Sequence, residues 1–157
     1  MRALAYFADQ AVNGGVLFAQ ECPHRPVHVR IAFHGPPGET HAIHIHEYGD
    51  MTRGCESLGA HHNPSGTTHG SRNFPNQPRH AGDLINNLTF DSKGDFLYAY
   101  DDDLLTLFGS DTIYGRSVVI HADPDDLGRG QPRADSLKTG NAGRRIACAI
   151  ISKIADS

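Results

Sequence analysis

Short apolar runs that alternate with polar residues, separated by turn signals, are the feature of this sequence that most limits its fold. In residues 27–33 every second position is apolar, and residues 3–8 and 16–18 are further runs of strand type. A period of two places successive side chains on opposite faces of a strand. The chain also contains 17 Gly and 9 Pro, which favour turns over long helices. An all-β fold is therefore predicted.

Length and charge narrow the remaining classes of protein. One hydrophobic core can account for 157 residues, so residues 1–157 are predicted to form a single domain. The formal net charge of −4 argues against nucleic acid as a partner, because phosphate binding needs a basic surface. The apolar runs are far shorter than the roughly 18 to 20 residues that span a bilayer, so no membrane partner is expected. Asp9 interrupts the N-terminal residues before an apolar stretch of secretory type can form, and a cytoplasmic location is expected.

More strands are predicted along the rest of the chain, together with two long polar loops. The strand patterns cover residues 41–47, 83–90, 96–100, 115–121 and 145–151. A turn at residues 92–95 predicts that the second and third of these strands form a hairpin. The loops cover residues 49–79 and 123–143, and loops of this length are usually functional or disordered. Eight short strands with two long loops are typical of a β-sandwich or barrel.

Histidine is unusually frequent, with 11 residues in a chain that has no Trp and only three Cys. This composition indicates metal binding, because imidazole is a common metal ligand. The first long loop and the residue after it contain His61, His69 and His80, and Asp83 follows at the start of the next strand. Three imidazoles and one carboxylate complete a tetrahedral zinc site without an open position. Such a site is predicted to be structural.

A second group of histidines lies on predicted strands. His44 and His46 share one face of the strand at residues 41–47, because side chains alternate along a strand. An isolated pair of this kind is more often a pair of ordinary polar residues than a metal site. His121, at the end of its own strand, could join the pair to form a copper-type site. The residues alone leave both interpretations open.

The sequence resembles copper/zinc superoxide dismutases along almost its whole length. The segments that carry the resemblance are HAIHIHEYGD, GCESLGAHHNP, His69-Gly70, Arg79-His80-Ala81-Gly82-Asp83-Leu84, HADPDDLGRG and KTGNAGRRIAC. The resemblance implies an eight-stranded antiparallel Greek-key barrel with two functional loops. It also implies an antioxidant oxidoreductase that converts two superoxide anions and two protons to oxygen and hydrogen peroxide. Copper would cycle between Cu(II) and Cu(I) in that reaction.

Individual residues acquire roles from the same resemblance. The implied ligands are His44, His46, His61 and His121 for copper, and His61, His69, His80 and Asp83 for zinc. His61 would bridge the two metals. Asp125 would link His44 to His69 by hydrogen bonds, since partners of this kind fix the orientation of metal ligands. Arg145 would be the cation beside copper, which makes Arg145 and His61 the implied catalytic residues.

The cysteines carry a further implication of the family. Cys55 and Cys148 occupy the positions that the family joins in a disulfide, which would leave Cys22 as an inert thiol. Without the resemblance two free thiols would be the better interpretation, because intracellular disulfides are uncommon. A bond that encloses so much chain would restrict the unfolded state by roughly 4 to 5 kcal/mol in the chain-entropy model.

The sequence departs from the family pattern at two places, one between the implied zinc ligands and one on the dimer face. The stretch between His69 and His80 is longer than is common, which zinc should tolerate if both ligands converge. Lys153 stands where an apolar residue is frequent on the dimer face of the family, while Ile113 and Ile151 are expected to remain available. A homodimer is therefore expected, and a copper chaperone is a further possible partner.

An alternative function uses the same fold without catalysis. The chain would then be a copper/zinc-binding protein that acts as a metal buffer or as a decoy interaction module. Loss of a copper ligand or of Arg145 would favour this alternative, and the sequence shows neither loss. Fold alone would not justify the activity, so the intact ligand set is what favours the enzyme.

Overall fold

The chain folds mainly into antiparallel strands connected by two long loops. The computed structural model describes residues 1–156. The strands are β1 (Arg2–Phe7), β2 (Asn13–Ala19), β3 (Val27–His34), β4 (Thr40–His46), β5 (Thr52–Cys55), β6 (Asn87–Thr89), β7 (Asp95–Asp102), β8 (Ser117–His121) and β9 (Arg145–Ile154). A 3₁₀ turn covers Ala81–Asp83, and one short helix, α1, covers Arg133–Thr139. Within residues 1–156, no helix has the length and apolarity needed to cross a membrane.

Eight of the strands form one sheet in the order β6-β4-β8-β9-β1-β2-β3-β7. Each neighbouring pair is antiparallel, and the sheet curls into a nearly closed barrel. Because β3 pairs with β7 and β4 pairs with β8, the chain crosses between the two halves of the barrel, as in a Greek key. The predicted all-β antiparallel barrel is confirmed.

The predicted hairpin between residues 83–90 and 96–100 is wrong. The turn itself is present, since the Gly94 N–H donates to the Asp91 carbonyl at 3.0 Å. However, β6 pairs with β4 and β7 pairs with β3, so the two strands lie at opposite edges of the sheet. Turn residues specify a change of direction, but the pairing partner depends on contacts far along the sequence. The strand at 83–90 is also shorter than predicted, because the 3₁₀ turn Ala81–Asp83 continues into a further turn at residues 84–86 before β6 begins.

Alternation along the strands sends one set of side chains into the core. In β3, Val27, Val29, Ile31 and Phe33 are buried while the intervening residues are exposed. Phe33 meets Phe7 edge to face, with ring centroids 5.1 Å apart, which is a favoured aromatic geometry.

The expectation that Ile113 and Ile151 remain available at the surface is wrong. Their side chains are 0% and 1% exposed and belong to the main core cluster. Inward-facing positions of β9 alternate with exposed ones, so Ile151 packs inside while Ile150 and Lys153 face outward. Apolar character therefore marks the core here rather than an interface.

The two loops cover one end of β4 and β8, and a disulfide ties the first loop to the barrel. Cys55, at the end of β5, is bonded to Cys148 in β9, and Cys22 remains a free thiol, as the resemblance implied. Helix α1 lies in the second loop and was not predicted from the sequence. It ends at Gly140, whose φ of 71° is left-handed, a conformation that glycine adopts without steric cost.

Candidate metal centre

Three imidazoles and one carboxylate converge beside the 3₁₀ turn. The Nδ1 atoms of His61 and His80 are 3.1 Å apart, and each lies 3.1 Å from Asp83 Oδ1. The Nδ1 atom of His69 lies 2.9 Å from the same oxygen. Ligands bound at 2.0–2.1 Å around a tetrahedral Zn²⁺ are separated by about 3.3 Å, so these distances approach the edges of such a tetrahedron. The donor set and its spacing both fit zinc.

The backbone orients the carboxylate of Asp83. Its second oxygen, Oδ2, accepts the N–H groups of Gly70 at 3.0 Å and His80 at 2.8 Å. The side chain is fully buried, and burial opposes ionisation of a carboxyl group. Hydrogen bonds from the three imidazoles outweigh that burial and hold the pKa of Asp83 well below its usual range. Asp83 is therefore an anion and would offset part of the charge of a cation bound there.

A second group brings four imidazoles together where β4 and β8 meet the first loop. Its members are His44 and His46 on β4, His121 at the end of β8, and His61, whose backbone bridges to that of His46. One ring nitrogen from each lies within 4.8 Å of the others. The Nε2 atoms of His46 and His121 are 3.3 Å apart. An all-imidazole group of this kind suits copper.

Hydrogen bonds on the outer nitrogens select which nitrogens face the ion. His46 Nδ1 donates to the Gly59 carbonyl at 2.9 Å, and His121 Nδ1 donates to the Gly143 carbonyl at 3.1 Å. These bonds leave the Nε2 atoms of both rings available to a metal ion. Burial lowers the pKa of His46, and it lowers the pKa of His121 to about 4. Both rings are thus neutral at physiological pH, which is the form that binds metal.

Two buried nitrogens in this group test whether a metal fits. Among residues 1–156, His44 Nδ1 and His61 Nε2 have no hydrogen-bond partner. A buried polar atom without a partner costs free energy, so native proteins usually supply one. A copper ion held by the four imidazoles would satisfy both atoms. The residues therefore fit copper.

His61 belongs to both groups. Its Nδ1 atom lies among the Asp83 and His80 atoms, and its Nε2 atom is the unpartnered one on the copper side. The ring is buried, and burial lowers its pKa. An imidazole can contact two metal ions at once only after losing both ring protons. His61 is therefore placed to bridge two metal ions and to take up a proton when it does not bridge them.

Asp125 connects the two groups from behind. Its Oδ2 atom accepts from His44 Nε2 at 2.6 Å, and its Oδ1 atom accepts from His69 Nε2 at 2.8 Å. Burial opposes protonation of His69, yet its bonds to Asp125 and Asp83 raise the pKa of His69 to about 9. The structure thus brings together the link that the resemblance implied. Because Asp125 binds the Nε2 atoms, the Nδ1 atoms of His44 and His69 face away from the Asp125 carboxylate. These Nδ1 atoms are the ones available to a metal ion.

Sequence analysis missed the residues that hold Asp125 in place. Asn86 is fully buried, and its amide donates to Asp125 Oδ2 at 3.2 Å and to the Gly70 carbonyl at 2.8 Å. The side chain of Asn87 accepts the Asp125 N–H at 2.7 Å and donates to the Asp125 carbonyl at 3.0 Å. Both asparagines lie in the segment 83–90, for which the sequence pattern predicts only a strand. Their proximity to Asp83 in sequence was the one available signal.

Close packing at Gly140 allows Asp125 and His69 to meet. A Cβ atom on Gly140 would lie 2.5 Å from both Asp125 Oδ1 and His69 Nε2. No side chain can be accommodated at that distance without moving the hydrogen bond between them. Glycine at the end of α1 therefore serves the site as well as the helix.

Arg145 lies at the mouth of a cavity of about 380 Å³ above the copper-side histidines. Its Nη1 donates to the Cys55 carbonyl at 2.8 Å, and its Nη2 donates to the Gly59 carbonyl at 2.6 Å. These two bonds fix the plane of the guanidinium. His46, His61 and His121 line the cavity together with three charged residues, which are Lys138, Arg145 and Asp135. A small anion approaching the copper group therefore meets two cations and one carboxylate, a net positive lining.

The remaining histidines join neither metal group within residues 1–156. His28 and His34 pair with Asp101 and Asp95 on the exposed face of the barrel. His41 Nδ1 donates to the His121 carbonyl at 2.9 Å, so this ring binds backbone rather than metal. His62 is buried, and burial lowers its pKa to about 4. His24 is exposed.

The fold is a Greek-key barrel, and it carries two adjoining groups of candidate metal ligands that share one imidazole. Together they define a class of protein with two metal sites, one suited to a redox metal and one to a structural metal. The family model described as copper/zinc superoxide dismutase matches residues 12–151. The chain therefore belongs to the copper/zinc superoxide dismutase family. It is an oxidoreductase that acts on superoxide, with copper and zinc as cofactors.

Individual relatives agree with this membership. A superoxide dismutase [Cu-Zn] of Neurospora crassa is 44% identical over 144 residues, which cover 91% of each chain. An extracellular superoxide dismutase [Cu-Zn] of Drosophila melanogaster is 47% identical over 96% of this chain and 84% of the relative. A crystal structure described as the clock protein EA4 superposes with a TM-score of 0.87 at 39% identity, covering 98% of this chain and 94% of that one.

Proposed function

We propose that His44, His46, His61 and His121 hold the copper of this superoxide dismutase, and that His61, His69, His80 and Asp83 hold its zinc. The observation that carries the proposal is the pair of buried, unpartnered nitrogens of His44 and His61 in the all-imidazole group. A tetrahedral set of donors on the other side of His61 supports the zinc assignment. Residues 1–157 are proposed to form one domain around these sites.

When bound, copper supplies reversible one-electron transfer: it takes an electron from one superoxide anion to give oxygen and returns it to a second, which with two protons gives hydrogen peroxide. The protein must admit a small anion, hold it at the metal and supply protons. Arg145 and Lys138 line the cavity and outweigh the negative charge of Asp135, which also lines it. His46 and His121, held by backbone carbonyls, keep a constant geometry through the cycle.

His61 is the proposed proton carrier. Its Nε2 atom faces the copper group and lacks a partner among the described residues, so a proton can be held there when the ring is not bridging. Its Nδ1 atom stays among the zinc-side donors, which keeps the ring in place while Nε2 changes state. A cation on that side favours return to the deprotonated, bridging form. Zinc on this account is structural and is not reduced.

Metal analysis combined with a dismutation assay tests the function. Purified protein is expected to bind one copper and one zinc per chain, and dismutation is expected only after copper loading. Fully loaded but inactive protein would instead support the metal buffer or decoy module. The intact copper ligands and Arg145 favour the enzyme over that alternative.

Replacing Arg145 with Ala is expected to leave copper and zinc content unchanged and to lower the dismutation rate about tenfold or more, because the cation beside the approaching anion is lost. The measurement is the rate at low ionic strength, per copper bound. Arg144→Ala is the matched control, since Arg144 is an exposed neighbour that does not line the copper-side cavity. An unchanged rate in the Arg145 variant would remove this residue from the mechanism.

A homodimer is also part of the proposal, through the last strand as the sequence indicated but with exposed residues other than Ile113 and Ile151. An apolar depression on β1 and β9 is lined by Leu4, Tyr6, Met51, Ile150 and Ile154. Tyr6 is 65% exposed and Met51 is 42% exposed, which is unusual for large apolar side chains clustered together. Exposed apolar patches of this kind often mark interfaces. Lys153 is exposed on β9 beside this depression and can point its charged end to solvent.

The dimer is tested by changing the centre of that depression. Ile150→Glu is expected to produce a 17 kDa monomer in sedimentation at micromolar concentration, whereas the wild-type chain sediments as a dimer. Leu97→Glu is the matched control, because Leu97 is 79% exposed on β7, away from β1 and β9. A wild-type monomer at the same concentration would end this part of the proposal.

A cytoplasmic location and delivery of copper by a chaperone complete the proposal. The relatives include one that is named extracellular, so cell fractionation is the direct test of location. Copper occupancy in cells that lack the chaperone tests the delivery route.

A further inference from the structure

The stretch between His69 and His80 contains a folded segment, residues 71–78, that is closed at its base. A Cβ atom on Gly70 would lie 2.1 Å from the Pro78 carbonyl oxygen, so the two ends of the segment are in close contact. Inside it, the Phe74 N–H donates to the Ser71 carbonyl at 3.1 Å, and the Gln77 N–H donates to the Phe74 carbonyl at 2.9 Å. The extra length noted in the sequence is thus an ordered pair of turns that stands outside the metal groups.

Two contacts between guanidinium groups and aromatic rings attach this segment to the rest of the protein. The Arg129 guanidinium carbon lies 3.5 Å from the centre of the Phe74 ring. The Arg72 guanidinium carbon lies 4.2 Å from the centre of the Tyr100 ring on β7. Both distances fall within the range of cation–π attraction. The segment is therefore held to the second loop on one side and to the barrel on the other.

The contact at Phe74 connects two parts of the chain that both end at the zinc-side residues. Phe74 lies midway between His69 and His80. Arg129 closes a turn through its N–H bond to the Asp126 carbonyl at 3.1 Å, and within this turn the Leu127 N–H donates to Asp125 Oδ1 at 2.7 Å. The same oxygen accepts from His69. Separation of Phe74 from Arg129 would therefore loosen the loop of His69 relative to the loop of Asp125.

We propose that Phe74 and Arg129 are positioning residues for the zinc site, whose contact holds the two loops together and slows the release of zinc. Neither residue belongs to a metal group, so each acts through the loop that carries it. Zinc can leave only if at least one ligand moves away, and His69 and His80 are on the loop that the contact holds. The inference rests on the proposed zinc ligands and adds a kinetic role for residues outside them.

The test measures zinc release from protein loaded with zinc alone, with the disulfide intact, after mixing with excess EDTA. Phe74→Leu and Arg129→Gln are each expected to release zinc about two- to fivefold faster, the factor that an exposed cation–π contact supplies. Phe74→Tyr keeps the ring and is expected to restore the wild-type rate. Arg30→Gln is the matched control, because Arg30 is an exposed arginine on β3, away from both loops.

The double variant separates a shared contact from general destabilisation. If the two residues act through one contact, Phe74→Leu combined with Arg129→Gln releases zinc no faster than either single variant. Additive effects, or single variants that release zinc at the wild-type rate, would overturn the proposal. A wild-type chain that binds no stoichiometric zinc would instead contradict the proposed function, so the two failures are distinguishable.

Discussion

An Asp83→Ala chain is expected to lose most of its zinc, with an affinity for zinc lowered by more than the 10- to 100-fold typical of losing a hydrogen-bonding partner of a ligand. Asp83 is the one anionic donor of its group, and its Oδ1 atom contacts all three imidazoles. Its removal leaves three neutral rings that no longer offset the charge of the ion. The measurement is zinc content after purification, followed by competition with a chelator.

Copper binding should persist in the Asp83 variant, because three of the four copper-side imidazoles are held by contacts that do not involve Asp83. Those contacts are with Gly59, Asp125 and Gly143. Asp83→Asn keeps the shape of the side chain without the charge and is expected to weaken zinc binding as well. Glu21→Ala, which removes an exposed carboxylate, provides the control. Stoichiometric zinc in Asp83→Ala would refute the ligand assignment.

Replacing Cys55 and Cys148 together with Ser is expected to lower the free energy of unfolding by about 2 to 5 kcal/mol. The bond joins residues 93 positions apart, so it removes many conformations from the unfolded chain. Urea denaturation of the metal-free protein measures the change without a contribution from metal binding. Cys22→Ser is the control, because Cys22 is a free thiol and its replacement should leave the midpoint unchanged.

The disulfide variant should also lose activity beyond its loss of stability. Arg145 donates to the carbonyls of Cys55 and Gly59, and the disulfide ties that segment to β9. Without the bond, the guanidinium has a mobile pair of acceptors and spends less time beside the copper group. A double variant with wild-type stability and wild-type activity per copper would contradict both expectations.

Strand β4 shows how far alternation in the sequence could predict the site. The period of two placed His44 and His46 on one face and Ile43 and Ile45 on the other, and the isoleucines are indeed in the core. The sequence pattern could not show that the histidine face is buried as well, since its cover comes from loops distant in sequence. The identification of His44 and His46 as ligands depends on the resemblance to the family. Their spacing alone is also compatible with ordinary polar residues on a strand.

The features that sequence analysis missed depend on contacts between distant segments. The turn at residues 92–95 was found, but its strands were paired with each other because hairpin signals are local. Helix α1 is seven residues long, too short for an apolar period to be visible. Asn86 and Asn87 gave no pattern of their own, since their role is to bind Asp125 from across the protein.

The position of β9 in the sheet has a consequence for synthesis of the protein. β9 lies between β8 and β1, so it is the strand that joins β6, β4 and β8 to β1, β2, β3 and β7. During translation, every other strand leaves the ribosome before residues 145–154 do. Until β9 emerges, β8 and β1 each have an unpaired edge, and such edges are prone to association with other chains. Closure of the barrel therefore has to follow the emergence of β9, and the same strand delivers Arg145 to the copper site and Cys148 to its disulfide partner.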